Sequence, residues 1–148
     1  MIPKQILKEI ALNKLDDAII LFKAKSYDSS LYLIGYSIEL ALKSKICKIF
    51  RLDRGFPENK IEFEIYINEH DNDLGNEIKY LKEIKNHDLQ KLLYYSGQEY
   101  RIKADLLEEW TNILYWRPEI RYNRKIGDKI FNELIIESVE KIITLIFK

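Results

Sequence analysis

The sequence predicts a mainly α protein, a helical bundle with a short irregular or β-containing insertion around residues 55–75. Three observations predict it. Apolar residues recur at spacings of three and four over most of the chain, as the buried stripe of an amphipathic helix does. The stretch from Leu52 to Leu74 departs from this spacing and collects Gly55, Pro57, Asn59, Asn68 and Asn72, which favour turns. A length of 148 residues, 47% of them hydrophobic, suits one core of ordinary size, so the chain reads as a single domain over residues 1–148.

Leu7, Ala11, Leu15, Ala18 and Phe22 mark a first helix from Lys4 to about Lys25. Ser26, Tyr27, Asp28 and Ser29 interrupt it with capping oxygens, and Leu31, Ile34, Ile38, Leu42, Ile46 and Ile49 then outline a second. So short a break makes the two helices antiparallel neighbours. Further on, Ile61, Phe63, Ile65 and Ile67 alternate with Glu62, Glu64, Tyr66 and Asn68, which is strand periodicity. A lone strand leaves its backbone groups unpaired. The segment is therefore expected to pair with a second extended piece, to pair across a dimer, or to be an irregular loop. Helical spacing returns from Glu77 to Lys85 and from His87 to Tyr95, the latter capped by Asn86 and ended by Gly97. Ile102, Leu106, Trp110 and Ile113 predict one long helix halted by Pro118, and Phe131, Ile135, Val139, Ile142 and Ile146 a last one.

Charge and cysteine content exclude several function classes. Lys plus Arg and Asp plus Glu both number 24, so no global field draws the protein to nucleic acid or to an anionic membrane, and such binding needs a local patch. The single cysteine, Cys47, excludes an internal disulfide and a thiolate-rich metal site, and its helical setting predicts a small buried side chain. No apolar run approaches the roughly 20 residues of a membrane span, and no signal-peptide pattern opens the chain. The expected location is the cytoplasm, with no membrane association, no metal and no cofactor.

The residues that carry candidate chemistry lie in three blocks. Gly35, Glu39 and Lys43, four apart, share a helix face beside the apolar stripe. Glu39 there either accepts bonds from Arg121 or a ligand, or simply pairs with Lys43, a contact worth roughly 0.2–0.5 kcal/mol. Gly35 would allow close helix approach. His87 precedes Asp88 at a helix start and is the one candidate acid or base, its structural alternative being a bond to a backbone carbonyl. Arg117, Arg121, Arg124, Lys125 and Lys129 are opposed locally only by Glu119 and Asp128 and interleave with Trp116 and Tyr122, a combination suited to phosphate and bases. Their competing use is docking against the acidic stretch of Glu58, Glu62, Glu64, Glu69, Asp71 and Asp73, with Trp116 in the core. Tyr32, Tyr36, Tyr94, Tyr95 and Tyr100 suit an aromatic surface or half-buried packing.

In order, GYSIELALKSK (35–45), NHDLQKLL (86–93) and WRPEIRY (116–122) resemble three signature blocks of bacterial HEPN-domain proteins. The resemblance implies an up-and-down bundle of four to five helices, usually a homodimer, in a superfamily tied to RNA cleavage, toxin–antitoxin pairs, phage defence and nucleotidyltransferase partners. Its ribonucleases carry an Arg followed closely by a His. Here the histidines are His70 and His87, Arg54 is the nearest arginine before either, and it lies well outside that spacing. The ribonuclease motif is therefore absent.

The leading expectation is a HEPN-like protein of a toxin–antitoxin or phage-defence type system, binding RNA or a nucleotide in a groove between helices. Arg117 and Arg121 would hold phosphate, with Lys43, Tyr122 and Arg124 as further ligand contacts. Glu39 would orient Arg121, and His87 would move the proton, so that Glu39, His87 and Arg121 form the catalytic set. The alternative is a catalytically silent dimeric helical module that partners a separate nucleotidyltransferase. A third possibility is a nucleotide-acting enzyme of unnamed chemistry.

Overall fold

The computed structural model describes residues 1–70, 72–83, 87–116 and 129–148, and among them forms eight helices and no strand. Helices α1 (Lys4–Lys23) and α2 (Tyr27–Ile49) make the most extensive packing in the molecule. Leu7, Ala11, Leu15 and Ala18 are buried, as their spacing predicts, and so are Leu31, Ile34, Ile38, Leu42 and Ile46 on α2, whereas Ile49 is exposed. Small residues let the two backbones approach. Ser30 Oγ donates to the Ala18 carbonyl at 2.7 Å and Ser37 Oγ to that of Ala11 at 2.7 Å. Numbers rise along α2 as they fall along α1, so the pair is antiparallel, and the seven-residue step in both helices repeats the hydroxyl-to-carbonyl contact one heptad on.

The turn between them is not built on serine caps, since Ser26 makes no side-chain capping bond. Instead Lys25 adopts a left-handed conformation at φ 61, while Ser26 N–H donates to Leu21 O at 2.9 Å and Lys25 N–H to Phe22 O at 3.0 Å. This paired arrangement satisfies the last carbonyls of α1 at the cost of placing a side chain where glycine is usual.

The expected strand is a helix. α3 (Lys60–Glu69) starts at Asn59, whose side chain accepts from Glu62 N–H at 3.0 Å. Its inward face is Phe63, Tyr66 and Ile67, a three-and-four spacing, while Ile61 is 75% exposed. The alternation misled because it counts Tyr66 as polar. Its ring is buried, and its hydroxyl donates to Gly55 O at 2.9 Å and accepts from Arg54 N–H at 3.0 Å. The extended contact found among the described residues is the isolated antiparallel bridge of Ile2 with Phe56. α4 (Asn72–Lys82) packs on α3, and the acidic residues of α3 meet cations outside the 117–129 stretch, Glu69 with Arg54 and Glu64 with Lys82.

α5 (Leu89–Tyr95) is capped by Asp88, whose carboxylate accepts from Lys91 N–H at 3.1 Å, and closes before Gly97 at φ 70. Asn86, the expected cap, lies outside the described residues. The single helix expected around Trp110 is two, α6 (Glu99–Asp105) and α7 (Leu107–Ile113), because Leu106 leaves helical geometry at φ −136, ψ 42. α7 ends before Pro118, which itself lies outside the described residues. α8 (Lys129–Phe147) packs on α2, α1 and α7, burying Ile135, Val139, Ile142 and Ile146. No helix among the described residues is long and apolar enough to cross a membrane.

Candidate functional site

Because α2 lies between α1, α5 and α8, it buries most of its circumference, including the charged Glu39, which is 2% exposed. A carboxylate so placed must be partnered. Lys43, one turn on, donates to Oε1 at 2.6 Å, and His87 meets Oε2 through Nδ1. His87 reaches it from the segment before α5, held at φ 76. The imidazole therefore does not cap α5 or bind a backbone carbonyl there; it spans to α2.

With Nδ1–H committed to the carboxylate, a neutral ring presents Nε2 as an acceptor, and the Tyr36 hydroxyl lies 3.4 Å from it. Tyr32 O–H donates in turn to Tyr36 at 3.2 Å. Tyr32, Tyr36, Glu39 and Lys43 occupy successive turns of one face of α2, so the helix carries a hydrogen-bonded line that runs through the His87 ring. Aromatic edges enclose it. Tyr36 meets His87 at a ring separation of 5.0 Å, and Trp116 meets Tyr36 at 5.8 Å and His87 at 6.0 Å. Trp116 is fixed by its Nε1–H bond to Leu31 O at 2.8 Å, as a core residue.

The expected closeness of Gly35 serves this ring rather than a neighbouring helix. A Cβ at Gly35 would lie 1.7 Å from Trp116 Cε2. On the other side, Lys43 stands over the Phe56 ring at 5.2 Å and lines a cavity of about 490 Å³ with Lys60, Phe63, Lys82 and Leu92. Its lining mixes three lysines with Glu58 and Glu83 around two aromatic rings, and Lys43 and Lys82 are already paired with Glu39 and Glu64.

Of the expected site residues, Glu39, Lys43 and His87 come together. Arg117, Arg121, Tyr122 and Arg124 lie outside the described residues, so the Glu39–Arg121 contact does too. Reasoning from the sequence passed over Tyr36 as a partner of His87, although its place three residues before Glu39 sets it on the same face. It also passed over Phe56, Lys60 and Lys82, which only the packing of α3 and α4 brings to Lys43.

The fold and this site define a helical bundle with a buried carboxylate paired to a partly exposed imidazole at the face of its central helix. The HEPN domain family model matches residues 5–57, which bears out the resemblance over α1, α2 and the turn that follows. The first signature block falls inside that match, and the blocks at 86–93 and 116–122 fall outside it. Comparison with curated proteins and with solved structures finds no match.

Proposed function

We propose that the protein is a HEPN-like member of a bacterial toxin–antitoxin or phage-defence type system, binding RNA or a nucleotide in the groove beside Glu39 and His87. It works in the cytoplasm as a homodimer of single-domain chains, without the Arg/His ribonuclease motif. The observation that carries this reading is His87, anchored at Nδ1 by a buried carboxylate while its side chain stays 28% exposed. A carboxylate so placed fixes the tautomer and aims the ring, the arrangement a general acid or base needs. Lys43, paired with Glu39, lines the adjacent cavity, and the segment bearing Arg117, Arg121, Tyr122 and Arg124 begins at the residue that packs on His87. In this reading those four contact phosphate and base, and Glu39, His87 and Arg121 form the reacting set.

Incubating the full chain with a mixed RNA pool tests it. Salt-sensitive binding that His87→Ala and Arg121→Ala each weaken at least tenfold supports the reading, and binding indifferent to both removes it.

A second reading rests on the burial of Glu39, both of whose oxygens are bonded within the protein. A sealed pair is what a silent scaffold needs, here a dimeric module that partners a separate nucleotidyltransferase. It expects Arg121→Ala to lower stability with no change in any ligand affinity.

A further inference from the structure

A second concentration of charge lies apart from the Lys43 cavity and shares no lining residue with it. Lys4 and Lys8 of α1 and Lys45 and Lys48 of α2 surround a cleft of about 240 Å³ whose floor is Phe147, at the end of α8. None of the four makes an ion pair among the described residues, in a chain whose acidic and basic residues are equal in number. Lys43, Lys103 and Lys141 are answered by Glu39, Glu99 and Glu109, while Lys14 and Lys79 on other helix faces make no ion pair among the described residues but stand singly rather than in a group of four.

Two features make this more than a solvated face. The ammonium groups of Lys8 and Lys45 stand over one ring, 5.1 Å and 5.9 Å from the Phe147 centroid, so an aromatic surface holds two like charges side by side. Lys45 is also partly withdrawn from water, which lowers its proton affinity, and the charges that act on it, Lys48, Lys8, Arg101 and Lys4, are all cations. Repulsion of this kind opposes folding unless something negative relieves it. The carbonyls that end α8 carry only about half a negative charge, too little for four ammonium groups.

We propose that this cleft is a binding site for a compact polyphosphate anion, a chain of two or three linked phosphates. Lysines without a guanidinium fork act as point charges, recognising charge density rather than a planar group. The cleft offers about 240 Å³ between the four ammonium groups. A linked phosphate chain places several charges in that space with no other bulk, whereas a nucleic-acid strand brings one charge per nucleotide together with its sugar and base. The site is independent of the groove at His87.

Calorimetric titration of the full chain at low ionic strength with inorganic triphosphate tests this, with orthophosphate and a short oligoribonucleotide as the other arms. Triphosphate is expected to bind at least tenfold more tightly than either. The double variant Lys45→Gln with Lys48→Gln should lose that affinity at least tenfold, while Lys23→Gln with Lys25→Gln, the same charge change elsewhere, should keep it. The unliganded melting temperature of the first variant should hold or rise, since repulsion is removed. Equal binding by the two variants, equal affinity for the oligoribonucleotide, no triphosphate binding, or a fall in the first variant's unliganded melting temperature would each overturn the proposal. His87→Ala leaves this binding unchanged, which separates the result from the fate of the groove.

Discussion

The indole of Trp116 lies flat against the backbone of Gly35, so close that a single added carbon would fall 1.7 Å from Cε2. Gly35→Ala should therefore destabilise the protein even though alanine is the better helix former by about 1 kcal/mol. Displacing a packed ring costs about 1–3 kcal/mol, occasionally more, and the overlap here leaves it no room. A melting temperature lowered by several degrees, with tryptophan emission shifted to longer wavelength, is the expected result; an unchanged melting temperature would refute the packing described.

Glu39 holds both Lys43 and His87 from a site almost closed to water. Removing it in Glu39→Ala leaves two donors facing a cavity, and the expected loss is about 3 kcal/mol in urea denaturation. Glu39→Gln keeps the volume and one acceptor, so it should lose less. Equal stability of all three proteins would mean that the carboxylate is not partnered as described.

At the end of α1, Lys25 occupies a left-handed conformation that costs a side-chain-bearing residue about 1 kcal/mol or more. Lys25→Gly should raise stability by up to about 1 kcal/mol, offset in part by a freer unfolded chain. Equilibrium denaturation decides it, a loss of stability being the contrary outcome.

Burial pushes the Cys47 thiol up to about 12, so almost no thiolate exists at neutral pH. The native protein should resist a thiol reagent for as long as it stays folded, and reaction should become complete in denaturant. Rapid labelling of native protein would contradict the burial.

Lys141 donates to Glu109 at 3.0 Å and ties α8 to α7. That bond holds the Glu109 carboxyl below its ordinary value and Lys141 above its own. The Glu109 contribution is complete above the unfolded carboxyl's pKa and disappears as pH falls through the lower folded value. The Lys141 contribution is complete below the unfolded amine's pKa and disappears as pH rises through the higher folded value. The stability difference between the native protein and Glu109→Gln should thus persist across neutral pH and vanish at both the acid and alkaline ends, as read from denaturation midpoints over the pH range. A difference that survives in acid would place its origin elsewhere.

The long helices were legible because each commits one stripe to the core over many turns. The spacing of Leu7, Ala11, Leu15 and Ala18 has no other economical reading, and the same holds for Leu31 to Ile46 and for Ile135 to Ile146. Short elements were less legible. Over the ten residues of α3, three side chains turned a three-and-four spacing into an alternation: Ile61 and Ile65 are apolar but exposed, and Tyr66, polar only at its tip, is buried. The division of α6 from α7 at Leu106 left no mark in the residue types, because an apolar residue follows the stripe whether or not its backbone stays helical.

By itself the sequence determined a helical bundle, the antiparallel pairing of α1 with α2, the burial of Cys47, and the presence of an acid and an imidazole able to meet. Only the tertiary structure decided that Glu39 meets His87 through a ring held at positive φ, that Tyr36 completes the line, and that four lysines from two helices surround the end of a third. The physical reason is one of range. Periodicity records which side of a helix leaves water, a property of neighbours in the chain. Which groups share that dry interior depends on how helices far apart in sequence stack, and no local spacing encodes it.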